Sequence, residues 1–143
     1  MEFITGVYLF FIFASLYSVF LVLLIYFRNR DRLYFEKEAE KTYDISVVIP
    51  TYNKEDCILD TINAVKNIDY PKDKIEIIVV DDGSKDKTVE IAKNIEGIRF
   101  FEKGYNSGKS DTVNFGVKNA RGEIIAVIDA DSYPEKDSFR KMI

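Results

Sequence analysis

Two apolar runs that each end in a pair of carboxylates constrain this chain more than any other feature. One is Ile77-Ile78-Val79-Val80 leading into Asp81-Asp82-Gly83-Ser84, and the other is Ile124-Ile125-Ala126-Val127-Ile128 leading into Asp129-Ala130-Asp131-Ser132. Short runs of β-branched residues bounded by turn formers are strands covered on both faces, as in a parallel sheet. Acids just past such strands stand on the rim where open α/β folds bind ligands. An extended Asp-x-Asp segment also turns both acids to one side, roughly 7 Å apart, close enough to share a divalent cation.

The N-terminus is of a different kind. No charged residue occurs from Phe3 to Phe27, and a helix of that length crosses a hydrocarbon core of about 30 Å. A cleavable signal peptide would have a positive n-region, a shorter apolar core and a small-residue cleavage site, and none of these is present. Residues 3–27 are therefore expected to form a transmembrane helix. Arg28, Arg30 and Arg32 follow it and only Glu2 precedes it, which places the globular part in the cytoplasm by the positive-inside rule. Residues 28–43 read as a charged juxtamembrane linker.

Composition removes several chemistries. Net charge is -4, and setting Glu2 aside leaves -3 after the span, so no basic face is available for nucleic acid. Histidine is absent, which excludes Ser-His-Asp and Cys-His catalysis and His-ligated zinc. Cys57 stands alone, so no internal disulfide can form. It reads as a core or boundary residue on the first helix.

After the linker, strands and helices alternate. Strands are expected over Ile45–Ile49 (halted by Pro50), Lys74–Val80, Ile98–Phe101 and Glu123–Ile128. Helices are expected over Glu55–Asn67, Lys87–Ile95, Ser110–Asn119 and from Lys136 onward, with Gly122 as a C-cap residue. The pattern makes right-handed βαβ units and a parallel sheet of order 3-2-1-4. Its crevice would be lined by Pro50-Thr51-Tyr52-Asn53, Asp81-Asp82-Gly83-Ser84 and Asp129-Ala130-Asp131. Ile143 falls inside the last helix, so residues 44–143 are expected to be the first part of a longer domain.

These residue types suit particular chemistry. Mg²⁺ and Mn²⁺ take hard oxygen ligands, commonly one or two carboxylates completed by substrate phosphates, and Asp129 with Asp131 could serve. Asp81 and Asp82 could accept hydrogen bonds from a base or ribose, or could simply form a turn. Tyr52 could stack on a base, or pack half-buried like other tyrosines. Lys109, opening a helix, could meet an anionic ligand or lie on the surface. Gly104-Tyr105-Asn106-Ser107-Gly108-Lys109-Ser110 imitates a P-loop, but three residues separate its glycines where that motif has four. A P-loop-like NTPase and a non-catalytic, membrane-tethered nucleotide-binding fragment are the alternatives.

The motifs Val47-Val48-Ile49-Pro50-Thr51-Tyr52-Asn53, Val80-Asp81-Asp82-Gly83-Ser84 with Asp86, Asn106-Ser107-Gly108-Lys109 with Asn114, and Asp129-Ala130-Asp131-Ser132 occur in this order. Together they resemble family 2 glycosyltransferases, and behind a membrane span they look most like the membrane-bound polysaccharide-synthase branch. The resemblance implies a GT-A fold and a metal-dependent, inverting transfer from a nucleotide sugar, usually a UDP-sugar, to a lipid-linked or polysaccharide acceptor. It implies that Pro50, Thr51 and Tyr52 flank the base and that Asp82, with Asp81, reads the uracil or ribose. Lys109 would contact the nucleotide, Asp131 would ligate Mg²⁺ or Mn²⁺, and Asp129 would lie near metal and ribose. The catalytic base of such enzymes comes from a later carboxylate, expected beyond Ile143, so this chain alone should bind donor weakly and transfer nothing. One departure stands out: Lys54 follows the Tyr-Asn pair where many relatives carry Glu.

Overall fold

The computed structural model describes residues 1–33 and 42–143. The chain divides into two compact units, Met1–Lys37 and Glu38–Ile143. The first holds one long helix, α1 (Glu2–Leu33). Its stretch Glu2–Arg30 is long and apolar enough to cross a bilayer, with mean hydropathy 2.5. Of the linker expected over 28–43, residues 28–33 instead continue α1, and residues 34–41 lie outside the described residues.

The second unit is a four-stranded parallel sheet of order β3-β2-β1-β4, as the sequence predicts. Its strands are β1 (Ile45–Thr51), β2 (Ile75–Asp81), β3 (Arg99–Glu102) and β4 (Ile124–Val127). Helices α2 (Ile58–Lys66), α3 (Thr88–Lys93), α4 (Lys109–Asn119) and α5 (Ser138–Met142) connect or follow them. One face carries the main core, where Val47, Ile49 and Val79 meet Ile58, Ile62 and Val65 of α2, Ala92 of α3 and Phe139 of α5. The opposite face is thinner, with Val48, Ile78 and Val80 against Phe101 and Ala120. Central β1 is buried along its whole length, whereas edge strand β4 alternates half-buried and exposed residues. Alternate side chains leave a strand on opposite faces, so the two core clusters follow from the pleat.

Two local expectations change. Pro50 does not halt the first strand, which runs on to Thr51. Pairing with β4 ends at Val48, whose carbonyl accepts from Ile128, so the missing Pro50 N–H removes no bond on that side. Gly122 is not a left-handed cap either, because α4 ends with Ala120 in extended conformation. Gly122 is required for proximity: a Cβ there would stand 2.5 Å from the Ser46 nitrogen. Its own N–H donates to Ser46 Oγ at 2.8 Å.

Candidate functional site

The carboxyl ends of β1, β2 and β4 open onto one cleft of about 290 Å³. Sheet register creates it. Thr51 pairs with Asp81 across β1 and β2, and the Asp82 N–H donates to the Thr51 carbonyl at 2.9 Å. The three loops therefore leave the sheet side by side.

Of the eight residues singled out in the sequence, seven line this cleft: Pro50, Thr51, Tyr52, Asp82, Lys109, Asp129 and Asp131. Tyr52 is 40% exposed on its wall, so the ring is not a core residue. Asp81 lies beneath, fully buried, with Oδ2 accepting from the Gly83 and Ser84 N–H groups at 2.9 Å each. Its Oδ1 and the Thr51 Oγ1 are buried without a hydrogen-bond partner among the described residues. Such groups carry a desolvation cost until something donates to them.

The β1–α2 loop is stitched to the β2–α3 loop by reciprocal hydrogen bonds. Asn53 N–H donates to Ser84 Oγ, and Lys85 N–H to Asn53 Oδ1, both at 2.8 Å. Lys54 N–H reaches Thr88 Oγ1 at 2.7 Å, and Glu55 N–H reaches Asp86 Oδ2 at 3.1 Å. Burial works against the charged form of Asp86, yet hydrogen bonds from Thr88 and the Glu55 backbone keep its carboxyl below the usual range.

Asp82 is engaged on every side. Its Oδ1 accepts from Ser107 N–H and Ser107 Oγ at 3.0 Å each and pairs with Lys103 Nζ at 3.2 Å. Its Oδ2 accepts from Gly108 N–H at 2.9 Å. Burial alone would raise this carboxyl, but bonds from Ser107, Thr112 and Lys103 outweigh it and bring it down to about 2. Lys103 is only 4% exposed and also pairs with Asp111 at 2.6 Å. Gly83, at φ +80°, lies under the same loop, and a Cβ there would stand 2.8 Å from the Tyr105 carbonyl carbon. Two backbone N–H groups that a P-loop would aim at phosphate, those of Ser107 and Gly108, are thus spent on Asp82, which counts against the NTPase alternative.

The acids after β4 stand differently. They lie in a turn rather than an extended segment, closed by Ser132 N–H donating to the Asp129 carbonyl at 2.9 Å. Ala130 between them is buried, and its carbonyl accepts from Thr61 Oγ1 of α2 at 2.7 Å, which turns the flanking acids outward. Asp129 pairs with Lys109 at 2.6 Å and Asp131 with Lys54 at 2.8 Å. Hydrogen bonding to Lys54 holds the Asp131 carboxyl below its ordinary value and lifts the Lys54 ammonium above its own. Lys54, Asn106 and Thr112 also line the cleft and were not singled out from the sequence as ligand groups. Lys54 had a signal, since it sits in the same strand-end loop as Tyr52. Among the described residues no three or more His, Cys, Asp or Glu gather to hold a metal by themselves.

The domain is an open parallel α/β sheet with a polar, acid-bearing cleft at its strand ends, the place where such folds bind ligands. The glycosyl transferase family 2 model matches residues 46–143, and the chain belongs to that family. It is 36% identical over 145 aligned residues to a probable glycosyltransferase, YdaM, of Bacillus subtilis, covering 90% of this chain and 34% of that protein. With the poly-beta-1,6-N-acetyl-D-glucosamine synthase of Staphylococcus epidermidis it shares 33% identity over 77% of this chain and 27% of the synthase. Among solved structures, the mannosyltransferase PcManGT of Pyrobaculum calidifontis, in complex with GDP-Man and Mn²⁺, superposes with TM-score 0.68 at 28% identity. That match covers 83% of this chain and 38% of the other. Staphylococcus aureus TarS 1-349 in complex with UDP-GlcNAc gives TM-score 0.64 at 33% identity, over 69% and 30% of the two chains. The chain therefore spans about a third of the length of the relatives it matches.

Proposed function

We propose that residues 44–143 form the donor-binding half of a glycosyltransferase, anchored in a membrane by residues 3–27. The observation that carries this reading is the meeting of three polar strand ends in one cleft that holds Tyr52, Asp82, Lys109, Asp129 and Asp131. The donor is a nucleotide sugar, as in the relatives solved with UDP-GlcNAc and GDP-Man. Tyr52, exposed on the wall, offers its ring to the base, beside Pro50 and Thr51. Thr51 Oγ1, which lines the cleft and has no partner among the described residues, supplies a polar group that a base N–H or ribose hydroxyl would satisfy.

Asp129 and Asp131 fit a divalent cation. They are hard oxygen donors on the cleft rim, too few to complete a site alone, which suits Mg²⁺ or Mn²⁺ shared with substrate phosphates. When bound, such an ion neutralises charge developing on the departing diphosphate. Lys109 adds a positive group from the start of α4. Arginines at 28, 30 and 32 support a cytoplasmic globular part, where nucleotide sugars are met. The acceptor is a lipid-linked sugar or a growing polysaccharide, in keeping with the synthase among the relatives.

Titration of the chain with UDP and GDP, with and without Mn²⁺, tests the reading. UDP binding strengthened by Mn²⁺ is expected, together with loss of that enhancement in Asp131→Ala. Binding indifferent to both the ion and the substitution would overturn it.

A further inference from the structure

Lys54 has a backbone pinned at both its N–H and its carbonyl, while its head group sits in an exposed ion pair. Its N–H is held by Thr88 Oγ1 at 2.7 Å, and its carbonyl accepts from Cys57 at 3.2 Å and Ile58 at 3.0 Å, at the start of α2. From that fixed base the side chain crosses the cleft to Asp131 Oδ2 at 2.8 Å. Lys109 reaches Asp129 from the opposite wall at 2.6 Å. Each acid after β4 thus already has a cation, and the two lysines come from unrelated elements. Both pairs are substantially exposed, so their attraction is screened and exchangeable. That separates them from the Lys103–Asp82 pair, which is shut away from solvent.

We infer that Lys54 is an intrinsic counter-cation for Asp131, displaced when a divalent ion takes that carboxylate and then free to turn to the donor's diphosphate. The inference rests on the donor-binding reading above. It makes Lys54 a positioning residue that couples the two ligands: the ammonium opposes the ion when it arrives alone and favours it when it arrives with phosphates. A lysine suits this exchange, being a point charge on a flexible stem with no bidentate geometry to lose. Without Lys54, Asp131 would accept the ion more readily and the diphosphate would lose one charged contact.

The experiment uses the full chain in detergent micelles, with free Mn²⁺ followed by electron paramagnetic resonance. Lys54→Ala is expected to bind Mn²⁺ alone about two- to fivefold more tightly than the parent, the range of an exposed ion pair. In saturating Mn²⁺ the same variant should bind UDP about five- to tenfold more weakly, as for loss of one charge-assisted contact, with uridine affinity unchanged. Lys54→Arg, which keeps the charge, should restore the parental Mn²⁺ affinity. Unchanged or weaker Mn²⁺ binding by Lys54→Ala, in a chain whose UDP binding still depends on Mn²⁺, overturns the inference alone. A parent chain that binds UDP with no response to Mn²⁺ overturns this inference and the donor-binding reading together.

Discussion

The acid pairs that end β2 and β4 look alike in sequence and are opposites in the folded chain. After β2, Asp81 and Asp82 are buried, and all their carboxylate oxygens except Asp81 Oδ1 are engaged by the Gly83, Ser84, Ser107 and Gly108 amides and by Lys103. After β4, Asp129 and Asp131 remain largely exposed, each held by a single lysine. The difference lies in what packs over each strand end. β2 is interior to the sheet, and the 104–108 loop folds back across its end. β4 is an edge strand, and only a turn follows it. The first pair organises the wall of the cleft, and the second is left with oxygens to offer a ligand.

Breaking the buried pair should have the largest effect. Asp82→Ala leaves Lys103 buried beside Asp111 alone and frees two amides, at a cost of about 3 kcal/mol. Urea denaturation of the parent and variant chains measures it. Gly83→Ala comes next, because φ +80° and the 2.8 Å approach to Tyr105 admit no Cβ. It should cost about 2 kcal/mol and lower the thermal midpoint by roughly 10 °C.

Acid acts on the same pair more gently. The folded Asp82 carboxyl sits at about 2, below its ordinary 3.8. Its contribution is therefore complete above pH 3.8 and is lost as pH falls through about 2. The urea midpoint should decline across that window, and Asp82→Asn should flatten the decline. The smallest effect on stability belongs to the exposed pair. Asp129→Asn and Asp131→Asn should leave the melting midpoint within error while removing the Mn²⁺ enhancement of UDP binding by calorimetry. A large loss of stability in either would erase the contrast between the strand ends.

Much of the architecture was legible before any coordinates. The β-branched runs at 45–49, 77–80 and 124–128 became three of the four parallel strands, in the expected order 3-2-1-4. Helix limits were read too generously: Glu55–Asn67 became Ile58–Lys66, and Lys87–Ile95 became Thr88–Lys93. In the first, residues before Ile58 are drawn into hydrogen bonds with the neighbouring loop instead of a helical turn. Gly122 was misread because its signal, a glycine after a helix, also fits a contact with Ser46 far away in the chain.

The sequence alone determined the layered α/β sheet and the gathering of its strand ends, because hydrophobic periodicity and chain handedness are local properties. Tertiary structure decided which carboxylates are consumed and which remain available. That choice depends on Ser107, Gly108 and Lys103 folding onto Asp82, and on Lys54 reaching Asp131 from 77 residues earlier. Electrostatic partners are chosen by proximity in space, and spacing along the chain carries no record of it.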